Sequence, residues 1–136
     1  MLAYRNVLTT CPFCGVGCGL HLQVLDGKVV GVLPAKTHPL SQGSLCLKGW
    51  NAHAFIYHKD RLRQPLMRRN GKLVETSWDE ALSLVARRLS EIKAQFGPDS
   101  IAFLASAKAT NEENYLLQKF ARAVIGTNTI DHCARL

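Results

Sequence analysis

The sequence predicts a chain of two unlike parts: a small, hairpin-built α+β part carrying four of the five cysteines over residues 1–63, then an α/β part from 64 to 136. Three observations carry this. Apolar and polar residues alternate on either side of Asp26-Gly27, which is the pattern of a tight hairpin. A capping box, Ser77-Trp78-Asp79-Glu80, opens a long stretch with helical periodicity. The wholly apolar run Ile101 to Ala105 then separates that helix from a second capped one, an order that belongs to an α/β layer.

Thr10 to Gly19 is a loop by its glycine and proline content and holds Cys11, Cys14 and Cys18. Leu20, Leu22 and Val24, then Val29, Val30, Val32 and Leu33, form the two arms of the first hairpin. Pro34 to Leu45, with Pro39, Ser41, Gly43 and Ser44, is a surface loop that returns the chain to Cys46. A short helix is expected from Leu47 to about His58, although Gly49 near its start weakens it. Asn70-Gly71 joins Pro65–Arg69 to Lys72–Glu75 in a second hairpin.

Trp78, Ala81, Leu82, Val85, Leu89, Ile92 and Phe96 recur at three- and four-residue steps, so the Ser77 helix is amphipathic until Gly97-Pro98 stop it. Ile101 to Ala105 reads as a buried strand flanked by helices. Thr110-Asn111-Glu112-Glu113 is the second capping box. It opens a helix whose inner face is Leu116, Leu117, Phe120, Ala121 and Val124 and which ends at Gly126. One buried strand and two helices leave apolar faces uncovered, so the isolated chain is expected to be marginally stable or to associate.

Composition narrows the function classes. The chain is 47% hydrophobic and 20% charged, as a folding protein is, and its longest apolar runs are too short to span a bilayer. Met1-Leu2-Ala3-Tyr4-Arg5-Asn6 has neither a signal-peptide core nor a twin arginine, so a cytoplasmic, thiol-reducing setting is expected, without membrane insertion. There, five cysteines serve metal binding or chemistry more readily than disulfides. The formal net charge of +7 raises nucleic acid as a partner, but the basic stretch Lys59, Arg61, Arg63, Arg68, Arg69 and Lys72 has no interleaved aromatic residue and no recognition motif. Nucleic-acid binding is therefore set aside in favour of a solvated face, or a surface for an acidic partner or cofactor phosphates.

Cys11, Cys14, Cys18 and Cys46 stand as C-x2-C-x3-C-x27-C. Four-cysteine zinc sites usually consist of two C-x2-C knuckles, whereas here the distal cysteine is alone. Three plus one suits the corners of a cubane [4Fe-4S] cluster, each thiolate on its own iron. Zinc and unrelated buried thiols remain alternatives. Gly15, Gly17 and Gly19 would let backbone N–H groups approach the sulfurs. Lys48, two residues after Cys46, is either a cation that offsets cluster charge and bridges to a second redox group or an ordinary surface lysine. His21, His38, His53, His58 and His132 show no ligand spacing and read as surface or loop residues.

Cys11-Pro12-Phe13-Cys14-Gly15-Val16-Gly17-Cys18, Cys46-Leu47-Lys48-Gly49 and Ser77-Trp78-Asp79-Glu80-Ala81-Leu82 together resemble the N-terminal portion of molybdopterin-dependent oxidoreductases of the dimethyl-sulfoxide-reductase superfamily, and the likeness covers the whole chain. Gln118 to Asn128 and Asp131-His132-Cys133-Ala134-Arg135-Leu136 are similar to formate dehydrogenase catalytic subunits. The resemblance implies a [4Fe-4S] domain followed by the beginning of an α/β molybdopterin-binding domain. Cys11, Cys14, Cys18 and Cys46 would ligate the cluster, and Lys48 would mediate electron transfer between cluster and pterin. A molybdenum or tungsten bis(molybdopterin guanine dinucleotide) would oxidise formate to carbon dioxide or run the reverse reaction. The implied partners are the remainder of the catalytic subunit and iron-sulfur electron-transfer subunits. Another molybdopterin oxidoreductase, such as a nitrate reductase relative, or a stand-alone iron-sulfur carrier is the alternative.

In the formate dehydrogenase pattern the metal's own ligand, selenocysteine or cysteine followed by histidine, comes directly after the stretch matching Cys133 to Leu136. Cys133 falls three residues before Leu136 and is not that ligand. The resemblance therefore raises the expectation that Leu136 precedes an undecoded selenocysteine codon, and that the 136 residues alone do not oxidise formate. A TGA triplet followed by a frame running into histidine is the expected nucleotide sequence; any other codon there contradicts it.

Overall fold

The computed structural model describes residues 2–133, so Ala134, Arg135 and Leu136, which carry the end of the formate dehydrogenase pattern, lie outside the described residues. The chain divides into two compact units. One holds residues 1–61, 105–116 and 132–136, and the other holds 62–104 and 117–131.

In the first unit β1 (Tyr4–Thr10), β2 (Gly19–Leu25) and β3 (Lys28–Pro34) form an antiparallel sheet in that order. The β2–β3 hairpin turns at Asp26 and Gly27, with φ of 46° and 78°, the paired left-handed conformation that an Asp-Gly turn supplies. A register shift falls between Gln23 and Val24. Leu20 and Val32 point into a core with Cys11 and Ala52, against which Phe13, Cys18, Leu22 and Leu45 pack. Strand β1, absent from the sequence expectation, pairs along its whole length from Tyr4 opposite Leu25 to Thr10 opposite Gly19. Every residue of β1 is exposed, so no apolar face marks it in the sequence.

The helix expected from Leu47 to His58 is a single turn, α1 (Leu47–Trp50), followed by successive turns to Tyr57. Gly49 is buried against Leu45, where a Cβ would approach Leu45 Cδ2 to 3.2 Å, so packing fixes the glycine that weakens helix propagation. Beyond it, Phe13 meets Phe55 edge-to-face at 5.8 Å, and the Arg61 guanidinium lies 5.0 Å over the Phe55 ring.

In the second unit β4 (Leu66–Arg69) and β5 (Lys72–Glu75) pair around Asn70 and Gly71, with φ of 48° and 80°. Helix α2 (Trp78–Phe96) begins at Ser77, whose Oγ accepts from the Glu80 N–H at 3.2 Å, and ends at Gly97, with φ 84°. Glu80 also pairs with Arg69 and accepts from Thr76, which ties α2 to its hairpin. With Arg61 over Phe55, Arg68 donating to Gly71 O at 2.8 Å and Arg69 on Glu80, half of the basic stretch is engaged locally.

Strand β6 (Phe103–Ala105) pairs with β7 (Ile130–His132), and α3 (Asn111–Lys119) continues into a π-helix at Phe120–Ile125 that stops at Gly126. Two expectations change here. Leu104 is 83% exposed, because its sheet has a single partner strand rather than helices on both faces. The buried residues of the final helical segment are Ala121 and Ile125, while Leu116 and Val124 are exposed. The wider π turn rotates the inner face away from the spacing an α-helix would give. Among the described residues no helix is long and apolar enough to cross a membrane.

Two local electrostatic arrangements are testable. On α2 the Glu91 carboxylate accepts from Arg87 at 3.1 Å and Arg88 at 2.7 Å, which holds its pKa below the ordinary glutamate value. A depressed carboxylate stabilises the fold above its unfolded pKa and loses that contribution as pH falls through the folded one. Glu91→Gln is therefore expected to lower the unfolding temperature at neutral pH and to converge with the unsubstituted chain as pH falls through the folded pKa of Glu91; a difference independent of pH would contradict this. In the first unit Cys133 Sγ lies 3.6 Å from Ser106 Oγ, and this hydroxyl, then the Ala107 N–H, draws the exposed thiol below the usual thiol range. Alkylation of Cys133, followed by mass spectrometry against pH, should have its midpoint below that of an ordinary thiol, and Ser106→Ala should move the midpoint up.

Candidate metal centre

Cys11 to Cys18 form a loop between β1 and β2, closed by the Cys11 N–H donating to Cys18 O at 2.8 Å. Inside it the Gly17 N–H reaches Cys14 O at 3.4 Å, and Gly17 adopts φ 65°, the conformation for which glycine is suited. Cys11 is buried in the core beneath the sheet, Cys14 and Cys18 are half-buried and Cys46 is exposed. All five cysteines are free thiols.

The hairpin and the Pro34–Leu45 loop return the chain, and Cys46 caps the N-terminus of α1. Its thiol makes no capping hydrogen bond, but the nearby backbone N–H groups of Gly49 and Lys48, and then the Lys48 ammonium, hold it below the usual range. Cys18 behaves in the opposite way. Burial, and then the neighbouring thiols of Cys11, Cys14 and Cys46, push its pKa up. Cys18 is thus within electrostatic reach of the other three predicted cysteines, and exposed Lys48 stands beside the fourth.

This donor set fits a [4Fe-4S] cluster. Cys11 sits in the apolar core, Cys18 feels the charge of Cys11, Cys14 and Cys46, and backbone N–H groups with a cation lie near the sulfur of Cys46. Among the described residues no three His, Cys, Asp or Glu side chains converge closely enough to hold a single metal ion. Thiolates on separate corners of a cubane need not converge on one point.

The structure corrects the reading of the glycines and histidines. Gly19 does not turn its N–H to a sulfur: it donates to Ser41 Oγ at 3.2 Å, and a Cβ there would stand 2.4 Å from the His38 ring. His38, in turn, accepts from the Ser41 N–H at 3.3 Å. His21, His38 and His53 are half-buried rather than surface residues, and the Nδ1 atoms of His21 and His53 are shielded from solvent. His58 and His132 are exposed. Sequence reasoning also missed Asn111, whose Nδ2 donates to Gly15 O at 2.9 Å across 96 residues. Nothing in local periodicity signals a tie of that range.

Comparison with known proteins agrees with this architecture. The family described as molybdopterin oxidoreductase Fe4S4 domain matches residues 4–58, and molybdopterin oxidoreductase matches 61–136. The chain is 52% identical over 128 residues to the F420-dependent formate dehydrogenase 1 subunit alpha of Methanococcus maripaludis, covering 94% of this chain and 18% of that one. It is 50% identical to the F420-dependent formate dehydrogenase subunit alpha of Methanocaldococcus jannaschii, covering 99% of this chain and 19% of that one. Among solved structures, acetylene hydratase from Pelobacter acetylenicus superposes with a TM-score of 0.72 at 28% identity, over 92% of this chain and 18% of that one. The chain thus spans less than a fifth of the length of each of these three proteins. With both family matches lying end to end along it, the chain belongs to the molybdopterin oxidoreductases and carries their Fe4S4 domain at its N-terminal end.

Proposed function

We propose that the chain is the cluster-binding N-terminal portion of a formate dehydrogenase catalytic subunit, with residues 1–63 as the cluster domain and 64–136 as the opening of the α/β domain. Cys11, Cys14, Cys18 and Cys46 are the cluster ligands, and Lys48 is the cation between the cluster and a pterin of a molybdenum or tungsten bis(molybdopterin guanine dinucleotide). The carrying observation is the turn at Cys46–Gly49, where backbone N–H groups and the Lys48 ammonium lie near a thiol whose charge reaches Cys18, itself in reach of Cys11 and Cys14. Identities of 52% and 50% to formate dehydrogenase alpha subunits support formate and carbon dioxide as the substrate pair of the whole subunit.

A bound cluster supplies reversible one-electron storage. The chain's own residues create the conditions for it. Cys11 anchors the loop in the core, and the Cys11 N–H to Cys18 O hydrogen bond ties the two ends of the loop that carries the first three cysteines. Gly49 and Lys48 direct N–H groups at the fourth sulfur, so negative charge is favoured there before any cluster is bound. Lys48, exposed beside this sulfur, is placed to donate a hydrogen bond outward to an anionic or polar cofactor edge. The partners in this reading are the rest of the catalytic subunit and iron-sulfur electron-transfer subunits. Five free thiols suit a reducing, cytoplasmic setting.

Anaerobic reconstitution is expected to load about four irons and four sulfides per chain, as a four-cysteine cubane requires. Cys46→Ser should cut iron binding while leaving the helical circular dichroism of α2 intact; one zinc without acid-labile sulfide would refute the ligand assignment. In the complete subunit Lys48→Ala should keep the cluster and slow its reduction by formate in stopped-flow, whereas unchanged reduction kinetics would remove the bridging role.

A further inference from the structure

Gly15 lies in the loop between Cys14 and Cys18, and its surroundings explain its lack of a side chain. A Cβ at this position would meet Asn111 Oδ1 at 2.4 Å and Asn111 Cγ at 3.2 Å. Gly15 does not have positive φ, so its backbone alone would accept alanine. The space is taken by the Asn111 amide, whose Nδ2 also donates to Gly15 O at 2.9 Å.

Asn111 is itself held in place. It is the first residue of α3, directly after a reciprocal cap in which the Thr110 N–H reaches Glu113 Oε2 at 2.7 Å and the Glu113 N–H reaches Thr110 Oγ1 at 3.3 Å. One turn on, Asn114 Nδ2 donates to Ser106 O at 3.0 Å and to Thr110 O at 3.1 Å, which braces the loop leading into the helix.

The tie fixes a peptide plane among the cysteines. In a trans peptide the C=O and the following N–H point in opposite directions, and there is no cis bond among the described residues. With Gly15 O bound to Asn111, the Val16 N–H faces away from α3. The N–H groups of Cys11, Gly17 and Gly19 are engaged by Cys18 O, Cys14 O and Ser41 Oγ. Those of Phe13, Cys14, Gly15 and Val16 have no hydrogen bond among the described residues, and of these only the Val16 N–H shares a peptide plane with the clamped Gly15 carbonyl. Amide dipoles beside cluster sulfurs stabilise the more negative, reduced state and raise the potential.

We propose that Asn111 is a positioning residue for the metal centre: it clamps the Gly15–Val16 peptide and so presents the Val16 N–H to the space bounded by the cysteines, raising the cluster's reduction potential. This rests on the [4Fe-4S] reading above. The link also couples the cap of α3 mechanically to the cluster loop, so that Gly15 and Asn111 act as a pair.

The test uses the full chain, anaerobically reconstituted, with Asn111→Ala, Gly15→Ala and the combined variant, each assayed for iron, sulfide, midpoint potential and the electron paramagnetic resonance of the reduced state. Asn111→Ala should keep its cluster but show a lower potential and an altered spectrum. Gly15→Ala alone should lose cluster several-fold, and the combined variant should recover it, because removing the amide makes room for the new methyl. Asn111→Asp, favoured at a helix N-terminus, guards against a folding defect and should also lower the potential. An unshifted potential and spectrum in Asn111→Ala, or equal damage from Gly15→Ala in both backgrounds, overturns the inference alone. Absence of iron and sulfide from the unsubstituted chain overturns the cluster reading and this inference with it.

Discussion

Thiols gathered near one another repel as soon as they ionise, and in the first unit that cost falls on Cys18. Burial first, and then the charges of its three cysteine neighbours, push its pKa up. Cys46 shows the answer, since backbone N–H groups at the start of α1 and the Lys48 ammonium favour its thiolate. A cluster of iron and sulfide would replace repulsion by bonding at all four positions. The sheet, the return loop and the single-turn helix each make sense as means of bringing Cys46 back over 27 intervening residues to the other three.

The sheet does this by offering one apolar face. Leu20, Val24 and Val32 are buried, Cys11 joins Leu20 and Val32 in the core, and β1 contributes hydrogen bonds without burying a side chain. At the loop's outer edge two polar side chains, Asn111 and Ser41, take up backbone groups of glycines that flank the cysteines. The glycines of the motif therefore serve three different needs: positive φ at Gly17, room for an amide at Gly15 and room for an imidazole at Gly19.

How legible this was depended on range. Both hairpins followed from Asp26-Gly27 and Asn70-Gly71, and α2 from Ser77 and Gly97, because turn and cap chemistry acts within four residues. The four cysteines and Lys48 were legible as a pattern of spacing; in the structure Cys18 feels the charge of the other three, and Cys46 that of Lys48. Strand β1 was not, since seven exposed residues carry no alternation of burial, and neither was three-residue β7. The helix after Cys46 was overextended because packing of Gly49 on Leu45 outweighs local propensity. The roles of Asn111 and His38 rest on contacts over 96 and 19 residues, and no local pattern encodes such pairs. In the second unit, Trp78, Leu82, Val85 and Phe96 keep their helical spacing yet remain exposed, so amphipathic periodicity identified the helix without identifying what covers it.

The central claim is that these four thiols hold a cubane iron-sulfur cluster, and Mössbauer spectroscopy of the chain loaded with isotopically enriched iron tests it most directly. The account predicts the spectrum of one [4Fe-4S] centre, with all the iron in exchange-coupled, sulfide-bridged sites, lost when Cys18 is replaced by serine. A spectrum of isolated tetrathiolate iron, or one indifferent to Cys18, would contradict it.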